Sequence, residues 1–166
     1  GSVVSDTARF VVIKPNISIA RASGPGIIAD ARVVRAVALL AHEAAPAARI
    51  LIAEGAGGWV SPALADCSLV NIRSGADHTE VLQDGFEIEG HRATVTELQG
   101  MGIDIDVHDL NFDLPYKLQV PGGGLLWDEY ELASSIIDAD VWINVPVAKT
   151  HGAKITCCMK NHFGLF

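Results

Sequence analysis

The last part of the chain carries the densest group of side chains able to bind or transform a small molecule. Lys149, Thr150 and His151 follow an apolar segment, and Lys160 and Asn161 come shortly after them. Lysine ammonium groups hold anions by charge-assisted hydrogen bonds, and histidine exchanges protons near neutral pH. We therefore predict catalytic roles for Lys149 and His151, and ligand-binding roles for Thr150, Lys160 and Asn161.

Polar residues and one glycine also follow three earlier apolar segments, at the points where strands are expected to end. These further predicted ligand-binding residues are Lys14, Asn16, Glu54, Gly55, Asp109 and Asn111. Each has an ordinary structural explanation, because turn formers are expected after strands and a lone lysine is usually a solvated charge. Parallel strands would bring all of these residues to one edge of the sheet, which favours a shared site. The lysines would make that site suitable for a small anionic molecule.

Two other readings of the same residues stay open. Glu54, Asp109 and His151 could hold a divalent metal. Alternatively, the lysines could lie on an open face that docks a protein partner. The glycines after Glu54 suit a close backbone approach to an anion, but Val60 stands where a dinucleotide fingerprint requires glycine.

Four apolar segments predict strands that position these side chains: residues 9–13, 49–53, 103–110 and 141–145. Helices are expected after Asp30, a good N-cap, and over residues 93–101 and 127–137. This alternation predicts an α/β fold with a mostly parallel, doubly wound sheet and helices on both faces.

Three segments have weaker patterns. Residues 120–124 are rich in proline and glycine and predict a mobile loop, and Asp84-Gly85 could separate two short strands of a hairpin. Residues 154–163 predict a short helix or an extended tail. Cys157 and Cys158 in this tail are expected to be core thiols, because adjacent cysteines cannot form an unstrained disulfide.

Length and charge restrict the class of protein. The 166 residues, 49% of them hydrophobic, predict a single domain with a real core. The net charge of -8 opposes nucleic-acid binding, and the longest apolar stretch is too short to span a membrane. Gly1 and Ser2 are typical of the remnant of a cleaved tag, so the compartment, cytoplasmic or exported, stays open.

Several separated motifs carry a resemblance to a known family. They are Ile13-Lys14-Pro15-Asn16, Ala53-Glu54-Gly55, Asp109-Leu110-Asn111, Asp138-Ala139-Asp140-Val141, Asn144-Val145-Pro146, Lys149-Thr150-His151, Thr156, Lys160-Asn161 and Gly164. In their order and spacing the chain resembles the uncharacterised family called domain of unknown function 362.

The resemblance implies further expectations about partners and chain length. Relatives often carry ferredoxin-like iron–sulfur segments, which implies a redox-associated role and an iron–sulfur protein as partner; this chain has no such cysteine set. Relatives continue beyond the position of Phe166, so the chain is expected to be the N-terminal part of a longer domain. An uncovered sheet edge would then favour a homodimer. The resemblance specifies no cofactor.

Overall fold

A computed structural model describes residues 3–17, 22, 24, 26–55, 85–151 and 154–165, and for residues 151, 154, 156 and 163–165 it describes the backbone alone. Its centre is a parallel sheet whose order is β3 (Ile105–Asp109), β2 (Arg49–Glu54), β1 (Phe10–Pro15) and β6 (Val141–Val145). All four predicted strands are confirmed, with ends that differ by up to two residues. Continuous apolar runs form them because a parallel sheet is covered on both faces.

One face of the sheet is covered by two helices. Helix α1 (Ala31–Ala44) begins at Asp30, whose carboxylate accepts a 2.9 Å hydrogen bond from the backbone N–H of Arg32, as the N-cap prediction requires. Helix α3 (His91–Gly100) confirms the predicted helix near residues 93–101. The larger core cluster joins these helices to the sheet through buried residues including Val11, Ile13, Val34, Ala38, Ile50, Ile52, Val95, Leu98 and Ile105.

The other face is covered by short helix α4 (Ser134–Asp138) and the residues around it. A smaller core cluster there joins Val12 and Leu51 of the sheet to Leu110, and Ile136 of α4 packs against it. Side chains alternate along a strand, so Val11 and Val12 enter different clusters. The α/β class and the doubly wound arrangement are therefore both confirmed.

The helix predicted over residues 127–137 is wrong for its first half. Strand β5 (Glu129–Ala133) instead pairs antiparallel with β4 (Pro115–Gln119), and only α4 is helical. The segment Glu-Tyr-Glu-Leu alternates polar and apolar residues, which is the period of a strand. The predicted loop at 120–124 lies within the connection of this hairpin, where Gly122 and Gly123 adopt φ angles of 81° and 84°.

Two other segments also differ from the sequence prediction. Residues Gly85–Ile88 form a short helix, α2, and not a hairpin strand; the first half of that predicted hairpin lies outside the described residues. In the tail, β7 (Lys149–His151) pairs with β8 (Lys154–Thr156), and a 3₁₀ helix follows at Cys158–Leu165. The tail prediction thus holds only for its second half.

No helix in the described part of the chain is long and apolar enough to cross a lipid bilayer.

Candidate functional site

The strand order places the switch point of the sheet, where a ligand crevice is expected, at the C-terminal ends of β1 and β6. The chain proceeds from β1 to β2 and β3 on one side, and then returns to the other side of β1 to form β6. Such a reversal separates the connections that leave the two strands, and ligands of open α/β sheets bind in the gap. Lys14 pairs in register with Asn144, and Pro15 with Val145, at this end of the sheet.

Asn161 ties the C-terminal 3₁₀ helix across the ends of both strands. Its buried side-chain amide donates to the Oδ1 atom of Asn144 at 2.7 Å and to the carbonyl of Lys14 at 3.2 Å. Its own Oδ1 atom accepts a 3.1 Å hydrogen bond from the Asn16 amide. Three asparagines from separate parts of the chain, Asn16, Asn144 and Asn161, therefore form one network, which we call the asparagine network.

Lys149 joins this network from β7. Its ammonium group donates to the Oδ1 atom of Asn16 at 2.7 Å and to the carbonyl of Ile27, just before α1. Burial lowers the pKa of Lys149, nearby Lys160 lowers this pKa further, and Glu54 acts in the opposite direction. Lys149 is thus a partly buried cation close to a second cation.

Lys14 and Glu54 form a buried ion pair beneath the crevice. Their Nζ and Oε1 atoms lie 2.6 Å apart, and the side chains are 1% and 4% exposed. Glu54 also accepts hydrogen bonds from the backbone N–H groups of Ile17, at 3.0 Å, and Gly55, at 3.1 Å. The pair therefore holds the chain that leaves β1 against the chain that leaves β2.

Burial acts on both partners of this pair in the direction of their neutral forms. It lowers the pKa of Lys14 and raises the pKa of Glu54, while the attraction between the two side chains opposes both shifts. The backbone N–H groups of Ile17 and Gly55 also favour the ionised Glu54. The two charges offset each other, so the pair adds little net charge to the crevice.

Asp109 and Asn111 lie at the end of β3, which is separated from β6 by two strands. Asp109 pairs in register with Glu54, and its Oδ1 atom accepts hydrogen bonds from the backbone N–H and side-chain amide of Asn111 at 3.0 and 2.9 Å. Of the predicted site residues, Lys14, Asn16 and Glu54 therefore lie nearer to the switch point than Asp109 and Asn111 do. The structure gives Asp109 a role in capping the turn after β3.

The remaining predicted residues lie on β7 and the 3₁₀ helix. Thr150 and Lys160 are exposed, whereas the side chain of His151 lies outside the described part of the chain. Within the described residues, no three histidine, cysteine or acidic side chains come together as a metal-binding group. The metal reading depends on the His151 side chain, which lies outside the described part of the chain, and it stays a prediction.

Asn144 is a central residue of the network that the predicted site did not include. Its amide contacts the carbonyl of Cys158 at 2.9 Å and the Nε2 atom of His162 at 3.0 Å. The available signal was an amide inside an otherwise apolar strand, Val-Trp-Ile-Asn-Val. A polar residue in a strand of a parallel sheet needs partners, and here they come from the 3₁₀ helix.

Fold and site together define an α/β domain with a cluster of hydrogen-bonded polar side chains at the switch point of a parallel sheet. The chain belongs to the family described as domain of unknown function (DUF362), whose family model matches residues 11–166. The family resemblance seen in the sequence is thereby confirmed. Comparison with curated proteins gives no match, and comparison with solved structures gives none either. The iron–sulfur partner and the homodimer stay predictions.

Proposed function

We propose that this domain binds a small anionic molecule in the crevice between the C-terminal ends of β1 and β6. The observation that carries the proposal is the position of Lys149, which is held by Asn16 and Ile27 at the switch point and has Lys160 nearby. A carboxylate or phosphate group placed there would meet both ammonium groups and form charge-assisted hydrogen bonds.

The local charge balance favours an anion although the whole chain is acidic. Lys14 and Glu54 offset each other, and the pKa of Lys149 is lowered by burial and then by repulsion from Lys160. A bound anion would relieve this repulsion and raise the pKa of Lys149. The net charge of -8 is a sum over the whole chain, and salt screens exposed charges that lie more than about 10 Å away.

The asparagine network gives the crevice its shape. Asn161 is buried, and its hydrogen bonds fix Asn16 and Asn144 relative to each other. Because Asn16 in turn accepts from Lys149, the position of the ammonium group depends on the same network. A preorganised cation loses less entropy when a ligand binds than a flexible surface lysine does.

Proton transfer is the chemical role we propose for Lys149 and His151 if the bound molecule reacts. A lysine with a lowered pKa exchanges protons more readily at neutral pH than an ordinary lysine. His151 adjoins Thr150 on β7, and histidine is a residue type that commonly donates and accepts protons in catalysis. The choice between binding alone and catalysis depends on identification of the ligand.

Thermal unfolding against a panel of ligands tests the proposal. A molecule that binds only the native state raises the unfolding midpoint, so the panel contains phosphates, carboxylates and nucleotides, with Mg²⁺ and Zn²⁺ for the metal reading. We expect an anion to raise the midpoint of the original chain. Lys149→Ala and Lys160→Ala should reduce that shift strongly.

Lys117→Ala is the matched control, because Lys117 is an exposed lysine on the hairpin, away from the crevice. It should leave the ligand-induced shift unchanged. An equal reduction of the ligand-induced shift in Lys117→Ala and in Lys149→Ala would mean that the anion binds through general surface charge. The absence of any shift with the whole anion panel would contradict the proposal and favour a docking module.

A further inference from the structure

Two adjacent cysteines lie at the start of the C-terminal 3₁₀ helix with their sulfur atoms in contact. The Sγ atoms of Cys157 and Cys158 are 3.3 Å apart, and both thiols are free. Neighbouring side chains usually diverge along a chain. Here Cys158 has a φ angle of 24°, the one positive φ among the described non-glycine residues, and the two side chains converge.

The pair is accessible and is anchored to the sheet. Cys158 is exposed and Cys157 is partly buried, so the core position expected from the sequence is wrong for Cys158. The carbonyl of Cys158 accepts a 2.9 Å hydrogen bond from Asn144, and the carbonyl of Cys157 accepts a 2.8 Å bond from the backbone N–H of Lys160. These bonds fix the backbone that presents the two thiols.

The separation of the sulfur atoms restricts the geometry of an ion that bonds to both. With sulfur–element bonds of about 2.3 Å, a separation of 3.3 Å gives an angle of about 90° at the bound atom. This angle is far from the linear arrangement of two-coordinate soft ions and is smaller than the tetrahedral angle of zinc. It fits a three-coordinate, pyramidal centre that carries a lone pair.

We propose that Cys157 and Cys158 form a chelating site for a trivalent, pyramidal, thiophilic centre, with As(III) as its probe. An arsenoxide group would condense with the two thiols, forming two arsenic–sulfur bonds and releasing one water molecule that takes the oxygen and both thiol protons. No oxidant or reductant is needed. This proposal is independent of the anion site and does not require any activity of the crevice.

Binding should depend on pH in a defined direction. The hydrogen bond with Cys157 raises the pKa of the Cys158 thiol, which favours the protonated form of Cys158. The released water carries away both thiol protons, so the condensation frees no proton to the solution while the thiols are protonated. Affinity for the arsenoxide should therefore change little with pH near neutrality and fall as the pH rises through the ordinary range of thiol ionisation, where the free thiols lose the protons that the reaction consumes.

Titration of the intact chain with phenylarsine oxide, followed by mass spectrometry, is the direct test. A Cys67→Ser variant removes the third cysteine and leaves the pair in place. We expect one adduct per chain that survives an excess of a monothiol and is removed by a dithiol. Cys157→Ser and Cys158→Ser in the same background should weaken binding by roughly 100-fold, because each loses the effective concentration of the second thiol.

The contribution of the fold is tested by comparing the native chain with the same chain in urea. Adjacent cysteines in an unfolded chain sample many arrangements, so tighter binding by the native state is expected if the observed geometry is preorganised. Equal affinity in urea would contradict a site built by the fold. Displacement of the arsenical by an equal concentration of Zn²⁺, or by the monothiol, would contradict a pyramidal two-sulfur site.

Discussion

Two lysine–glutamate pairs in this chain have the same chemistry and opposite environments. Lys14 and Glu54 lie 2.6 Å apart beneath the crevice, with side chains 1% and 4% exposed. Lys117 and Glu129 lie 3.0 Å apart on the β4–β5 hairpin, with side chains 64% and 40% exposed. Burial lowers the pKa of Lys14, whereas hydrogen bonding to Glu129 raises the pKa of Lys117.

The difference in burial shows which of the two ion pairs constrains the structure around it. Water and salt screen the exposed pair, and either partner can be solvated when the other is removed. The buried pair has no such alternative, because a single charge left in the core is poorly solvated. Lys14 and Glu54 therefore constrain the strand ends that bear the candidate site, and Lys117 and Glu129 have little structural consequence.

The largest expected effect is the loss of one buried charge. Lys14→Met should lower the free energy of unfolding by about 3–5 kcal/mol, because Glu54 is left buried without its cation. Lys117→Met should change it by less than about 1 kcal/mol. Urea unfolding followed by circular dichroism measures both values.

A double variant separates the charge effect from the loss of packing. Lys14→Met combined with Glu54→Gln leaves no uncompensated charge, and it should recover a substantial part of the stability lost in Lys14→Met. If the double variant is as unstable as the single variant or less stable, the desolvated carboxylate is not the cause. Equal losses in Lys14→Met and Lys117→Met would remove the contrast between the two environments.

The next largest effect concerns His91, a fully buried titratable group at the start of α3. Burial lowers its pKa to about 4, and Asp30 acts in the opposite direction. The nearest Glu89 oxygen is 3.5 Å from its Nε2 atom. Between pH 6.5 and about 4 the unfolded chain binds a proton on this residue and the native chain does not.

Stability should therefore fall as the pH falls through this window, by about 3 kcal/mol in total. Urea unfolding at half-unit intervals between pH 4 and 7 measures the slope. His91→Leu should flatten the profile, while Glu89→Gln tests the contribution of the neighbouring carboxyl group. An unchanged slope in His91→Leu would assign the acid sensitivity to other groups.

Much of the sheet was predictable because its strands are continuous apolar runs, and these have few alternatives in an α/β chain. Asp30 was identifiable as an N-cap from its residue type and position. The helix predicted over residues 127–137 was partly wrong because polar and apolar residues alternate in Glu129–Ala133, and this pattern favours a strand. Local sequence also could not show that Lys14 meets Glu54, since their contact joins two strands far apart in the chain.

The candidate site was predictable only in part, for a similar reason. Strand ends indicated Asn16 and Lys149 separately, but their 2.7 Å contact depends on how the tail returns across the sheet. Asn144 was not among the predicted ligand-binding residues, because the strand pattern does not show that its partners come from the 3₁₀ helix. Asn161, which contacts Asn144, lies on the C-terminal 3₁₀ helix. No local sequence pattern predicts where this helix crosses the sheet.

Asn161 and Asn111 allow a second comparison, between a buried and an exposed asparagine. Asn161→Ala should destabilise the chain by about 1–3 kcal/mol, because the partly buried Asn16 amide and the Oδ1 atom of Asn144 each lose the hydrogen bond that Asn161 supplies. Asn111→Ala, at an exposed position, should cost less than about 1 kcal/mol. Equal changes in the unfolding midpoint would show that the asparagine network stabilises the chain no more than the exposed Asn111 does.

The smallest expected effect is at the N-terminus of α1. Asp30→Ala removes the carboxylate that accepts from the backbone N–H of Arg32 and should cost about 1 kcal/mol. Hydrogen bonds from Arg32 lower the pKa of Asp30 to about 2, so the contribution is present above the ordinary aspartate range. It is lost as the pH falls from 3.8 through about 2.

Asp104→Ala is the matched control for this cap, because Asp104 is exposed and precedes a strand. Helix α3 starts at Gly90 with a φ angle of 86° and no side-chain cap, so α1 and α3 differ in how their first N–H groups are satisfied. If Asp30→Ala is no less stable than Asp104→Ala at pH 7, packing alone fixes the start of α1. A difference that disappears near pH 2 would assign the stabilisation to the ionised carboxylate.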